Sequence, residues 1–222
     1  MIGLLATTSG DRAGDVAPRP APSREEGTAL LARAAGGDDR AFAELYEAHR
    51  RQLYRLAYGV LLDPHEAREA VQEAFLALHR AAPTWEPRAA VGTWLYRVVL
   101  NHCLSLKQRL LRLARPAPPP SPSVADSPEG AASLRQAVVV VERALAELPP
   151  RQRAVACLFL EAELPPQEIA PLVDMTPNAT RVTLHRALER VRARLAEAGI
   201  DAPPTPDERL VHLSEVRHAD PS

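Results

Sequence analysis

Six basic residues and no acidic residue lie between Arg88 and Arg115, where the sequence reads RAAVGTWLYRVVLNHCLSLKQRLLRLAR. The stretch also holds Trp94 and Asn101, although the whole chain has a net charge of only −1. Guanidinium groups bind phosphates, and stacking of an unpaired base on an indole contributes about 1 to 3 kcal/mol. This combination indicates a local anionic partner, and a single nucleic-acid strand is the partner that uses all of these groups.

A helix over residues 90–115 would separate these side chains onto two faces. At 100° per residue, the core stripe consists of Val91, Leu95, Val99, His102, Leu106, Leu110 and Leu113. The opposite face holds Trp94, Arg97, Asn101, Ser105, Gln108, Arg112 and Arg115. A second interpretation stays open, in which this face is merely solvated and Trp85, from the loop 81–90, covers the Trp94 ring.

An acidic helix lies immediately upstream. The segment HEAREAVQEAFLALHR, after the helix start at Asp63-Pro64, places Glu66, Glu69, Gln72 and Glu73 along one helix. Taken alone, this is the pattern of a solvated face.

The C-terminal part predicts a helix-turn-helix. A short helix QEIAPLV and a tight turn at Asp174-Met175 precede a long basic helix that Thr176 and Pro177 begin. In that last helix the inner stripe consists of Thr180, Leu184, Leu188, Val191 and Leu195. The outer face holds Asn178, Arg181, Val182, His185, Arg186 and Glu189, whose first members are expected in the major groove.

The remaining pattern predicts an all-α chain. Helices are expected at 29–35, from Asp38 or Asp39 to about 62, and on both sides of the proline-rich segment PAPPPSPSVADSPEG. We expect two small helical domains, 28–115 and 133–197, joined by a flexible linker at 116–132. Residues 1–27 are expected to be a disordered tail, and 198–222 a C-terminal tail with a partly amphipathic segment at 205–216.

Several function classes lack support in the sequence. No apolar run approaches the roughly 20 residues that span a bilayer, and MIGLLATTSG is a poor leader, so a cytoplasmic protein without membrane insertion is expected. Cys103 and Cys157 are isolated and are interpreted as packing residues. Because no catalytic triad, phosphate loop or metal cluster is recognisable, we expect neither an enzyme nor a metal or cofactor.

The order of these segments resembles a known family. EAREAVQEAFL, GTWLYRVVLNHC, a proline-rich linker, ALAELPPRQRAV, EIA and a basic last helix follow one another over about residues 29–196. This arrangement is similar to the extracytoplasmic-function (ECF) group of the sigma-70 family of bacterial RNA polymerase sigma factors. The resemblance implies a region 2-like helical bundle and a region 4-like helix-turn-helix domain that direct core polymerase to specific promoters.

The resemblance also implies roles for particular residues. Binding to core polymerase falls on Glu69, Gln72, Glu73 and Phe75. Binding to the minus-ten element falls on the loop 81–90 and on Arg88, Trp94, Arg97, Asn101 and Lys107. Binding to the minus-thirty-five element falls on Asn178, Arg181, Val182, His185 and Arg186. The implied partners are the polymerase core, promoter DNA and an anti-sigma factor.

The chain departs from the family pattern at a few positions. Glu69 replaces a usual aspartate, Ser105 a frequent acidic residue, Asp174 a frequent glycine, and Thr183 a common basic residue. Two other functions remain open from the residues alone. One is a stand-alone helix-turn-helix regulator whose N-terminal half is a dimerisation or effector module, and the other is a helical adaptor.

Overall fold

The computed structural model describes residues 21–112 and 130–200, with the side chains of 110–112 and 130–135 outside the description. Within these ranges every regular element is helical, which confirms the all-α prediction. The helices are α1 Arg24–Ala35, α2 Asp39–Leu61, α3 Pro64–Ala81, α4 Val91–Arg112, α5 Gly130–Ala146, α6 Pro150–Glu161, α7 Pro166–Ile169 and α8 Pro177–Glu197. Short 3₁₀ turns follow α3 at Ala82–Thr84 and α7 at Ala170–Leu172.

The first helix begins earlier than the sequence pattern indicated. The Glu26 amide donates to the Ser23 hydroxyl at 3.2 Å, and the Ser23 amide donates to the Glu26 carboxylate at 2.8 Å. This reciprocal pair is a capping box, which satisfies two amides at the helix start. As a result α1 starts at Arg24, inside the predicted disordered tail of 1–27 and before the predicted helix start at residue 29.

Three other predicted helix starts, those of α2, α3 and α8, are confirmed. Asp38 and Asp63 accept hydrogen bonds from amides in the first turns of α2 and α3, and Thr176 does so for α8. Pro64 and Pro177 are the first helical residues, where the missing amide hydrogen has no cost.

Residues 21–112, here called the N-terminal half, form a bundle around α2, which packs against α1, α3 and α4. Its fully buried side chains include Leu31, Leu45, Leu53, Leu56, Leu78 and Leu95. On α4 the predicted inner residues Val91, Leu95, Val99 and Leu106 are buried, and His102 is half-buried. Leu110 and Leu113 of the same predicted stripe lie outside the described side chains.

Residues 130–200, the C-terminal half, surround α8, which packs against α5, α6 and α7. The predicted short helix changes to a 3₁₀ turn at Ala170, because Pro171 has no amide hydrogen to continue the α-helical pattern. Asp174 then adopts a left-handed φ of 53°, which forms the predicted turn into α8.

The two halves share one apolar core, since their buried side chains form a continuous cluster. α6 of the C-terminal half packs against both α2 and α4. Helix α5 begins at Gly130, within the last residues of the predicted linker 116–132. The rest of that linker, from 116 to 129, and the predicted amphipathic segment 205–216 lie outside the described residues.

Candidate functional site

The acidic face of α3 is accessible to a partner. Glu69, Gln72 and Glu73 are exposed, and their spacing of three and four residues places them on one side of the helix. Phe75 differs from the prediction, because it is 4% exposed and its ring lies against Tyr46 with centroids 4.7 Å apart. Phe75 therefore supports this surface from inside the bundle.

Two apolar side chains beside the acidic face were missed by sequence reasoning. Leu76 is 44% exposed and Tyr46 is 40% exposed, although both are large and hydrophobic. Leu76 follows Gln72 by four residues and Glu73 by three, so a helical wheel of α3 could have found it. An exposed apolar side chain among carboxylates is suited to a protein partner with apolar and basic groups.

The polar and charged side chains on the basic face of α4 and in the preceding loop differ in their exposure and in their partners. Arg97 and Asn101 are exposed. Arg88, in the preceding loop, forms an exposed ion pair with Glu86 at 2.6 Å. Exposed pairs of this kind contribute little stability and exchange readily, so Arg88 remains available to a phosphate.

Trp94 lies against Trp85 and is only half exposed to solvent. The two rings meet edge to face, with centroids 5.6 Å apart and an interplanar angle of 77°. Both tryptophans also pack against the apolar core. This geometry matches the alternative in which the loop 81–90 covers Trp94, so stacking of a base on that ring would require the loop to move.

Lys107 is engaged within the N-terminal half. Its ammonium donates to the Leu61 carbonyl at 2.9 Å, at the C-terminal end of α2. A cation is favoured at this end, where helix carbonyls lack internal partners. Burial lowers the pKa of Lys107, and Arg153 nearby lowers it further.

The outer face of α8 matches the prediction in every residue. Asn178, Arg181, Val182, His185 and Arg186 are all exposed, and Thr180, Leu184, Leu188, Val191 and Leu195 are all buried. Val182 is 44% exposed, so an apolar group stands among polar ones near the start of the helix. Polar, basic and apolar side chains at an accessible helix start are able to contact base edges and methyl groups in a major groove.

The basic residues near the end of α8 have a structural role at one position. Arg194 binds the Glu147 carboxylate with both Nε at 3.1 Å and Nη2 at 2.9 Å, and thereby ties α8 to the turn that follows α5. Arg190 is exposed. His185 lies 3.1 Å from the Glu189 carboxylate, one turn further along the outer face.

Neither a metal centre nor a membrane-spanning helix is found in the described part of the chain. Within residues 21–112 and 130–200, no group of three or more His, Cys, Asp or Glu side chains could hold a metal ion. The helices in the same ranges are too short or too polar to cross a bilayer.

Two family models match the chain in the order of its halves. The model described as sigma-70 region 2 matches residues 45–113, and the model described as sigma-70, region 4 matches residues 139–191. A protein with both regions is an RNA polymerase sigma factor, a non-enzymatic subunit that initiates transcription. A stand-alone helix-turn-helix regulator has less support, because region 2 is present as well.

Related proteins define the group. The ECF RNA polymerase sigma factor SigM of Mycobacterium tuberculosis is 35% identical over 167 residues, covering 75% of this chain and 81% of SigM. The ECF RNA polymerase sigma factor SigW of Bacillus subtilis is 25% identical over 178 residues, covering 72% of this chain and 92% of SigW. The chain therefore belongs to the ECF group of the sigma-70 family.

A solved structure has the same fold. CnrH, in complex with the cytosolic domain of CnrY, superposes with a TM-score of 0.58 at 23% identity. The superposition covers 78% of this chain and 98% of CnrH.

Proposed function

We propose that this sigma factor docks on core RNA polymerase through the exposed face of α3 and reads promoter DNA with α4 and α8. The polymerase contacts are assigned to Glu69, Gln72 and Glu73, with Leu76 as an added apolar contact. Transcription initiation with this sigma factor takes place in the cytoplasm, where both polymerase and chromosomal DNA are found.

The proposal for the minus-thirty-five element depends on one observation above all, the exposed start of α8. Arg181 is exposed there beside Asn178 and Val182, and Thr176 caps the helix. Arginine donates two hydrogen bonds to guanine, asparagine pairs with adenine, and an apolar group contacts the thymine methyl. The positive end of the helix dipole favours phosphate at the same place.

The minus-ten element is assigned to Arg88, Arg97 and Asn101 at the surface of α4 and its preceding loop. Trp94 joins them when the loop 81–90 moves off its ring. Lys107 contributes positive charge near this surface while it bonds to the end of α2. The long-range attraction of DNA to this acid-free segment is expected to weaken as salt rises.

A protein partner is also part of the proposal. CnrH, which shares the fold, was solved with the cytosolic domain of CnrY bound. We infer that an anti-sigma factor binds this chain in turn and competes for the face of α3.

Mapping of transcription start sites tests the proposed DNA contacts. Purified core polymerase is mixed with the full chain and fragmented genomic DNA, and the sequences upstream of the starts are aligned. Arg181→Ala should lose the preference for one base pair, an effect of about 5- to 150-fold in selectivity. Arg40→Ala removes the same charge from an exposed position on α2 and should leave the preference unchanged.

Two exposed apolar residues provide reciprocal controls for polymerase binding. Leu76→Ala should weaken binding to core polymerase about tenfold, while Val182→Ala leaves binding intact and changes base selectivity. Absence of any start site above core polymerase alone would refute the proposed function. Equal effects of the two substitutions on polymerase binding would refute the assignment to α3.

A further inference from the structure

Helix α1 lies beside the loop that covers Trp94. Arg24, the first residue of α1, donates a hydrogen bond from Nη2 to the Pro87 carbonyl, which lies 63 residues further along the chain. The 3₁₀ turn Ala82–Thr84, at the start of the same loop, packs against α1 as well. Helix α1 therefore supports the loop 81–90 both at its start and in its middle.

The two ends of this loop are anchored in the core. Ala82 and Val91 are both buried. A Cβ added at Gly27 of α1 would lie 3.5 Å from the Val91 Cγ2, an ordinary van der Waals distance, so α1 also packs against the residue at which α4 begins. Because both ends are held, any movement of the loop is confined to the segment between them, which contains Trp85 and Pro87.

The backbone of Arg24 is fixed by its own helix. Ser23 and Glu26 form the capping box of this turn, and the Thr28 hydroxyl donates to the Arg24 carbonyl at 2.8 Å. None of these bonds involves the loop. The hydrogen bond from Arg24 to Pro87 therefore ties the loop to a helix turn that is formed independently of it.

Trp85 has an unsatisfied donor while the loop lies over Trp94. Its indole N–H is buried and has no hydrogen-bond acceptor within the described part of the chain. A buried donor without an acceptor is unfavourable, and movement of the loop would give this group water or an acceptor on DNA. The covered arrangement of the two rings thus has a cost that contacts from outside the loop must offset.

We propose that Arg24 is a positioning residue for the minus-ten surface, because its hydrogen bond to Pro87 holds the loop 81–90 over Trp94. This bond sets how readily the ring becomes available to an unpaired base. The proposal rests on the proposed function, since it assumes that a base of the minus-ten element stacks on Trp94. A base binds only the uncovered ring, so its apparent affinity rises with the fraction of chains in which the ring is uncovered.

Tryptophan fluorescence of the full chain tests the position of the loop, because Trp85 and Trp94 are its two tryptophans. In Arg24→Ala the pair should become more accessible, so acrylamide should quench the emission more strongly than in the wild type. Arg40→Ala removes the same charge from an exposed position on α2 and should match the wild type. Arg24→Lys keeps a charged donor and should lie between the wild type and Arg24→Ala.

Binding of a single-stranded minus-ten oligonucleotide to the holoenzyme measures the consequence for DNA. With Arg24→Ala the apparent Kd should fall about three- to tenfold, the range expected for the loss of one hydrogen bond that holds the covered state. Loss of a cation by itself weakens binding to DNA, so a gain in affinity cannot come from the change in charge. Binding of the chain to core polymerase should stay unchanged.

Two further variants show whether the effect passes through α1 and through the ring. Ser23→Ala removes one bond of the capping box and should shift both readouts in the direction of Arg24→Ala, by a smaller amount. Trp94→Leu keeps an apolar side chain but removes the stacking surface. In the double variant Arg24→Ala/Trp94→Leu, the gain in affinity that Arg24→Ala produces should vanish relative to Trp94→Leu alone.

The possible outcomes separate this proposal from the proposed function. Stronger quenching together with tighter single-strand binding that depends on Trp94 supports the role of Arg24. Unchanged quenching, unchanged or weaker single-strand binding, or a gain that persists without the Trp94 ring overturns it, although wild-type initiation stands. Failure of the wild-type holoenzyme to bind the oligonucleotide and to initiate would refute the proposed function, and the role of Arg24 would fall with it.

Discussion

The guanidinium of Arg153 lies where two helices end, and its removal should have a large effect on stability. It donates to the Val60 carbonyl at 3.0 Å, in the last turn of α2, and to the Ala146 and Leu148 carbonyls at 2.8 and 3.1 Å, at the end of α5. The Val60 carbonyl has no helical partner, because residue 64 is a proline without an amide hydrogen. Arg153 therefore satisfies carbonyls that the sequence itself leaves without donors.

The magnitude follows from these bonds. Arg153→Ala leaves the buried carbonyls of Val60 and Leu148 unsatisfied, at about 1 to 3 kcal/mol each. The Ala146 carbonyl lies at an exposed residue, where water can replace the lost donor. Part of the loss is offset because the charged group no longer has to be desolvated. We expect the free energy of unfolding to fall by about 3 kcal/mol, and Tm by about 6 to 12 °C.

Equilibrium denaturation and thermal unfolding of the full chain measure this effect. Arg151→Ala, an exposed arginine on the same helix, is the matched control and should change stability by less than about 0.5 kcal/mol. Arg153→Lys should recover less than half of the loss, because a lysine presents one point donor in place of a planar fork. A loss below about 1 kcal/mol for Arg153→Ala, or one equal to that of Arg151→Ala, would refute the reasoning.

Three smaller predictions concern single residues. Burial lowers the pKa of His49 to about 4, so the unfolded chain binds more protons between pH 6.5 and 4. The free energy of unfolding should therefore decrease by up to about 3 kcal/mol as the pH falls from 6.5 to 4. Denaturation at pH 7 and pH 5 measures this decrease, and an equal dependence of stability on pH in His49→Gln would contradict the prediction. Asp174→Gly should raise the free energy of unfolding by up to about 1 kcal/mol, because φ at this residue is 53°, and a lower Tm would count against it. Ser23→Ala should cost about 0.5 to 2 kcal/mol and speed amide exchange at the start of α1, and unchanged exchange would argue against the capping box.

Local chemistry explains why much of the fold was predictable. Asp63-Pro64 and Thr176-Pro177 begin helices through bonds within a single turn, so no distant residue is needed to foresee them. The outer face of α8 was predicted for the same reason, since its inner stripe is unambiguous at helical spacing. Ser23 and Glu26 carry a similar local pattern, and the early start of α1 was missed although its capping box could have been recognised.

The α3 and α4 surfaces were harder to predict, because helical periodicity shows towards which side of a helix a residue points. It does not show which side chains of other segments that residue meets. Phe75 adjoins the acidic face of α3, yet the Tyr46 ring covers it and it is buried in the core. The next residue, Leu76, is the exposed apolar side chain instead. Trp94 lies away from the leucine stripe, yet Trp85 approaches it from a loop whose course no periodic pattern specifies. In each case an aromatic ring from another segment decides burial.

Contacts between the halves explain the presence of two residues that the sequence alone left unexplained. In α2, Gly59 would be a costly interior glycine and Arg55 a solvated cation, but α6 supplies Cys157 beside the first and Glu161 beside the second. Burial raises the pKa of Glu161 to about 7, with Arg55 opposing that rise, so the ion pair is poorly solvated while the halves are together. On separation, water can solvate both charges, which lowers the cost of opening relative to an interface of apolar side chains alone.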